Sequence, residues 1–128
     1  MESLHWQEES FFSRNQRVIP IYQAFKQQVS SRYPEVSFYV QKTQITFTNR
    51  HVFACVSFLR VKRKSELPDP YLIITLGMPA MIHTDRPVVI TEPYPGRWTT
   101  HVVIGSLGDL DEEFYSWADQ AYQFAMVK

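Results

Sequence analysis

The stretch WTTHVVIGSLGDLDEEFYSWADQAY, residues 98–122, contains the change of pattern that decides the fold. Its first part alternates in the manner of a β-strand, and its second part repeats apolar residues at helical spacing. Asp109 is predicted to cap the helix, and Glu112 completes a capping box three residues later. One apolar stripe follows, consisting of Leu110, Phe114, Trp117, Ala118, Ala121, Tyr122 and Ala125. We expect this stripe to cover a sheet that contains the preceding strand.

A second helix is predicted near the other end of the chain, within residues 15–32. Its apolar residues recur at helical spacing and are Val18, Ile21, Tyr22, Phe25 and Val29. Pro20 has no N–H to donate, so we expect it in the first turn, and Tyr33 ends the helix because it precedes Pro34. Residues 1–16 are predicted to form a short N-terminal helix or arm.

Strand-like segments fill the chain between these helices. They are VSFYVQ, TQITFT, HVFACVSFLRV, YLIITLGMP, PVVITEP and RWTTHVVI. Consecutive strands without intervening helices predict an antiparallel meander. Residues 1–128 are therefore predicted to form a single α+β domain, in which a mainly antiparallel five- to six-stranded sheet carries the N- and C-terminal helices packed on one face.

Composition limits the classes of function. The chain has 13 basic and 13 acidic residues, so no net charge attracts it to nucleic acid or anionic lipid. The single cysteine, Cys55, excludes an intramolecular disulfide and suits a reducing compartment, and we expect it in or near the core. No segment approaches the roughly 20 apolar residues that span a bilayer, and the N-terminus lacks a signal-peptide pattern. A soluble cytoplasmic protein without a membrane partner is predicted.

His101 is the first candidate for chemistry. Strand alternation places it on the opposite face from Trp98 and Val102. An imidazole titrates near neutral pH, so it could serve as a general base or a ligand donor. The pattern favours the simpler interpretation, a polar residue on a half-exposed sheet face that bonds to a neighbouring strand.

Two turns offer further candidates. Lys42 and Thr43 place a cation beside a hydroxyl at a strand junction, where they could hold an anion, although a solvated turn lysine is the simpler interpretation. The turn in EPYPGRWTTH restricts Tyr94, Arg97 and Trp98, which could form the rim of a small-molecule or nucleotide site. Proline-rich turns also occur without any ligand.

The remaining patterns argue against a metal, a cofactor and nucleic acid. The histidines show no metal-ligand spacing and are His5, His51, His83 and His101. We expect no metal site and no cofactor. The basic run Arg60–Lys64 could contact phosphates, with Tyr39 or Phe53 stacking on bases. Nucleic-acid binding nevertheless stays a minority interpretation, because the net charge is zero and short basic runs commonly protect strand edges.

Two segments, YVQKTQITFTNRHVFACV and RWTTHVVIGSLGDLDEEFYSWADQAYQF, carry the motifs KT-x-I-x-F, FA-x-V, W-x-x-H and D-x-D-E-E…W…A-Y. In these motifs and their order the chain resembles a family of bacterial domains of unknown function, sometimes labelled predicted transport proteins. The resemblance extends from Pro20 to Phe124. The resemblance implies a binding module, and no catalytic residue is established for that family. It also implies that Lys42, Thr43, Trp98 and His101 occupy recurring motif positions.

Four functions stay open. The first is a small binding or regulatory module for a small or anionic ligand or a protein partner. In it Lys42 and Arg97 supply charge, Trp98 stacks, and His101 donates or accepts a hydrogen bond. The second is a hydrolase-type enzyme with His101 as base, which requires an acid or hydroxyl within reach of the imidazole in a pocket. The third is a nucleic-acid-binding module, and the fourth is a homodimer that pairs through sheet faces or edges.

Overall fold

A computed structural model describes residues 4–127. The helices are α1 (Trp6–Phe11), α2 (Ile19–Arg32) and α3 (Glu112–Val127). The strands are β1 (Ser37–Val40), β2 (Gln44–Thr48), β3 (Val52–Ser57), β4 (Leu72–Met78), β5 (Val88–Tyr94) and β6 (Arg97–Ile104). These strands form one six-stranded antiparallel sheet, so the predicted α+β fold is confirmed. Of the predicted arm at 1–16, residues 1–3 lie outside the described residues, as does Lys128.

The strand order is β1-β2-β3-β4-β6-β5, which corrects the predicted meander at its last step. β6 lies next to β4, and β5 takes the edge of the sheet. Val102 and Ile104 of β6 pair with Ile74 and Leu72 of β4, and all four side chains are fully buried. β5 is half-buried or exposed and contains Pro93, which cannot donate to a strand ladder. The more deeply buried strand, β6, therefore occupies the interior position.

One face of the sheet, the helix-covered face, packs against α2 and α3. The buried apolar stripe of α3 is confirmed, except that Leu110 precedes the helix and is only half-buried. Phe25 of α2 joins the two helices to the sheet, because its ring lies 5.3 Å from that of Phe47 and 6.0 Å from that of Phe114, centroid to centroid. This face contains the aromatic core.

The opposite face carries a row of polar side chains and is called the polar face. Thr46, Cys55, Thr75 and His101 are direct cross-strand partners on β2, β3, β4 and β6. Because side chains alternate along a strand, each lies between two residues that point to the helix-covered face. The predicted orientation of His101, away from Val102 and Trp98, follows from this register.

Three local predictions were wrong. Asp111, rather than Asp109, caps α3, because it accepts the Phe114 backbone N–H at 2.9 Å. Asp109 instead accepts the Gly105 and Ser106 backbone N–H groups at 2.8 and 3.2 Å and closes a short 3₁₀ turn.

The other two concern β3. Phe53 is buried in the aromatic core rather than exposed for stacking, because the pairing of β2 and β3 shifts register beside it. Cys55 lies half-buried on the polar face, because its neighbours Ala54 and Val56 occupy the core positions.

A buried carboxylate holds α1 against α2. Glu8 is fully buried and accepts hydrogen bonds from the Tyr22 hydroxyl and from Lys26 Nζ, the latter at 2.9 Å. Burial by itself raises the pKa of Glu8, but these bonds outweigh it and hold that pKa below its ordinary value. The anchored helix brings Phe11 against Phe58, with the rings stacked at 5.5 Å. None of the helices within residues 4–127 has the length and hydrophobicity needed to cross a bilayer.

Candidate functional site

A groove of about 550 Å³ opens beside the β1–β2 turn and reaches the polar face, and we call it the polar-face groove. Phe11 and Phe58 form its apolar wall. Its polar lining includes Lys42, Thr43, Gln44, Arg60, Thr75 and His101. The described lining contains two basic side chains and no carboxylate. Its volume lies in the range of small-molecule sites.

His101 lies at the inner part of this groove. Its Nδ1 is 2.8 Å from the Thr75 hydroxyl oxygen, its cross-strand partner. Burial lowers the pKa of His101 below the ordinary imidazole value of about 6.5. The ring is therefore neutral at neutral pH. Within residues 4–127 its other nitrogen, Nε2, has no hydrogen-bond partner, so it can donate to or accept from a ligand.

The side chains beyond Thr75 form the rest of the groove floor. Gln44 Nε2 donates to Thr46 Oγ1 at 2.8 Å and lies 3.4 Å from the Cys55 sulfur. Burial raises the pKa of the Cys55 thiol, and a hydrogen bond with Thr46 only partly opposes this. The thiol is thus uncharged at neutral pH and is not an activated nucleophile.

Lys42 and Arg60 supply the positive charge at the mouth of the groove. Lys42 lies in the β1–β2 turn, and Arg60 follows β3 at the same end of the sheet. Neither forms an ion pair with any of the described residues, in contrast to Lys26 and Arg86, which bond carboxylates at 2.9 and 2.8 Å. Two uncompensated cations therefore face the same concave surface.

The other candidates from the sequence lie at the opposite end of the sheet. Tyr94 is 70% exposed at the end of β5, next to the β5–β6 turn. The Arg97 guanidinium lies 5.8 Å from the ring centroid of Phe124 in α3. Trp98 is half-buried and packs against the core on the helix-covered face.

The structure thus brings Lys42, Thr43 and His101 together in one groove. The candidates at the β5–β6 turn lie outside that groove, at the opposite end of the sheet. Two groove residues were not singled out as site candidates from the sequence. Arg60 was considered only within its basic run, and Thr75 is a single polar residue in an apolar strand. The alternation of YLIITLGMP would have put Thr75 on the polar face, but its pairing with His101 requires the register of β4 and β6.

The described residues contain no group of three or more His, Cys, Asp or Glu side chains that could hold a metal ion. The fold and groove define a small α+β protein with a cationic groove on one face of an antiparallel sheet. The chain belongs to the family described as "Domain of unknown function (DUF5655)", whose model matches residues 8–125. This confirms the resemblance to a domain-of-unknown-function family. No curated protein and no solved structure gives a significant match.

Proposed function

We propose that the protein is a binding module for a small anionic ligand, which the polar-face groove holds. The observation that carries the proposal is the convergence of Lys42, Arg60 and His101 on a groove whose described lining has no carboxylate. Like charges in one concave site raise the local potential and attract an oppositely charged ligand. An apolar wall beside them strengthens the attraction, because it excludes water from one side of the site.

The groove residues have different roles in this proposal. Arg60 offers a planar pair of N–H groups that matches two oxygens of a phosphate or carboxylate. Lys42 adds a point charge, and the Thr43 hydroxyl adds a hydrogen bond. His101 Nε2 donates from the floor, with the ring oriented by Thr75. The cations are exposed, so the half-buried histidine contributes most to selectivity.

Binding of an anion should depend on pH through His101. The free protein keeps the imidazole neutral because burial lowers its pKa. An anion beside Nε2 favours the charged form and raises that pKa. Affinity should therefore increase as pH falls through the range in which the bound form takes up a proton and the free form does not.

Calorimetry with inorganic pyrophosphate tests the proposal. We expect Lys42→Ala, Arg60→Ala and His101→Ala each to weaken binding about tenfold, the loss of one charge-assisted hydrogen bond. Lys64→Ala and Arg63→Ala are matched controls, because both residues are exposed in the same basic run and lie outside the groove lining. If the control variants weaken pyrophosphate binding equally, the attraction comes from the general surface charge and not from the groove, which would contradict the proposal. Failure of the wild type to bind pyrophosphate would overturn the proposal.

A hydrolytic activity is a second candidate, because the hydroxyl that it requires lies within hydrogen-bond distance of His101 in a groove. In it, neutral His101 would accept a proton from Thr75. Thr75→Val should then abolish turnover of activated esters or phosphoesters but only weaken pyrophosphate binding, because the cations remain and the hydroxyl that orients the His101 ring is lost. Absence of turnover by the wild type would remove this candidate and leave the binding module unaffected.

We also propose the cytoplasm as the place of action. The lone cysteine supports a reducing compartment, since Cys55 has no partner for a disulfide within the chain. Fractionation of cells that express the tagged full-length chain would test this directly.

A further inference from the structure

A second groove adjoins the polar-face groove and has different chemistry. It measures about 540 Å³, lies between α1 and the β1–β2 turn, and is called the arm groove. Lys42, Phe11 and Phe58 line both grooves. The two therefore meet at Lys42, and a single ligand can extend from one to the other.

The arm groove continues the same charge pattern. Arg14 joins Lys42 on its lining, and no carboxylate is present among the described lining residues. Within residues 4–127 Arg14 forms no ion pair. Gln7 and Ser10 supply donors and acceptors, and Gln41, whose amide oxygen accepts from Thr46 Oγ1 at 2.6 Å, supplies amide N–H donors. A ligand with anionic groups and hydrogen-bonding edges therefore matches the lining of the two grooves.

The arm groove also has a largely exposed aromatic side chain, Trp6, whose ring has the His5 ring 5.7 Å away, centroid to centroid. Trp6 is 68% exposed, whereas Trp117 is only 6% exposed in the core. The buried Glu8, held by Tyr22 and Lys26, fixes the helix that carries Trp6. An exposed indole on an anchored helix beside a cationic groove is a platform on which a flat ring can stack.

We propose that the two grooves form one nucleotide-binding site, an inference that rests on the proposed function and names its ligand class. The phosphate lies between Lys42 and Arg60 in the polar-face groove. The base lies in the arm groove, stacked on Trp6, with its edge bonded to Gln7 or Gln41. Arg14 contacts a further phosphate where the ligand has one. The shared chemistry is a phosphate joined to an aromatic base, either in a free nucleotide or in a short single strand.

Tryptophan fluorescence tests this inference, because the exposed Trp6 should report contact with a base. We expect adenosine monophosphate to quench the emission and to bind more tightly than ribose 5-phosphate or inorganic pyrophosphate, which lack the base. Trp6→Ala should weaken adenosine monophosphate about fivefold or more, the loss expected for one stacked base. It should leave pyrophosphate affinity unchanged, and Trp6 is exposed enough for the variant to fold.

Further variants separate this inference from the proposed function. Lys42→Ala should weaken pyrophosphate and adenosine monophosphate alike, because both place phosphate at that residue. Equal affinity for adenosine monophosphate and ribose 5-phosphate, or no effect of Trp6→Ala, would overturn the nucleotide inference while the anion site stands. A thymidine tetranucleotide distinguishes the sources. If the tetranucleotide binds more tightly than adenosine monophosphate, and if that affinity depends on Trp6, Lys42 and Arg14, the ligand is a single-stranded nucleic acid. If the tetranucleotide binds more weakly, the ligand is a free nucleotide.

Discussion

The two faces of the sheet are built from alternate residues of the same strands, yet in the middle of β4 and β6 they differ in burial and polarity. On the helix-covered face, Ile74 and Val102 are fully buried among apolar and aromatic side chains. On the polar face, their neighbours Thr75 and His101 are only half-buried and bond to each other. The first face gains free energy from burial of apolar area. The second keeps polar groups available in a groove, so the comparison separates residues that stabilise from residues that bind.

The largest effect on stability should come from the helix-covered face. Phe25→Ala removes a ring that contacts Phe47 and Phe114, and we expect a loss of about 3–5 kcal/mol in the free energy of unfolding. Urea denaturation measures it. Phe25→Leu is the milder variant, in case the alanine variant does not fold. A loss below about 1 kcal/mol would mean that this face does not hold the fold together.

A smaller effect should come from the anchor of α1. Tyr22→Phe removes the hydroxyl that donates to buried Glu8, which should cost about 1.5–3 kcal/mol. Tyr33→Phe is the matched control. Its hydroxyl also donates to a carboxylate, but Asp119 is 48% exposed and can bond to water instead. Equal losses in the two variants, measured by denaturation, would contradict the role given to the burial of Glu8.

Substitution of valine for threonine should change the free energy of unfolding in opposite directions on the two faces of the sheet. Thr100 is fully buried on the helix-covered face, and its hydroxyl has no hydrogen-bond partner among the described residues. Thr100→Val should therefore raise the free energy of unfolding by about 1 kcal/mol. Thr75→Val should lower it by about the same amount, because the bond to His101 is lost. Thermal unfolding measures both changes, and two changes of the same sign would contradict the comparison.

The smallest effect should be a pH dependence of stability. Burial lowers the pKa of His101 in the folded state, so the unfolded chain binds more protons between that pKa and the ordinary value of about 6.5. The contribution of His101 to stability is complete above about pH 6.5 and is lost as pH falls through the folded pKa. The stability of the wild type should fall relative to that of His101→Asn over this range. A constant difference from about pH 7.5 to about pH 5 would show that the imidazole is as solvated in the folded state as in the unfolded one.

Most of the fold could be predicted from the sequence, because its signals are local. Alternation and helical spacing located each strand and the two long helices. The exchange of β5 and β6 was missed, because an edge or interior position is decided by pairing with a strand distant in the sequence, here β4, which no local pattern contains. Phe53 was misplaced for a related reason, since a register shift breaks the alternation on which the prediction relied.

The candidate site could be predicted only in part. Lys42, Thr43 and His101 share a groove, but Thr75 bonds to His101 across two strands although the two residues are 26 positions apart in the chain. No local pattern contains that pairing. Arg97 was grouped with His101 because they are close in sequence. Four residues of extended strand span about 13 Å, however, and place Arg97 at the other end of the sheet.

The central claim is that the groove on the polar face, rather than the β5–β6 turn, binds an anionic ligand. Nuclear magnetic resonance of the ¹⁵N-labelled chain, titrated with pyrophosphate, tests it most directly. We predict shifts at Lys42, Thr43, Thr75 and the His101 ring, with the amides of residues 94–98 unchanged. Shifts concentrated at residues 94–98, or spread evenly over exposed lysines and arginines, would contradict the claim.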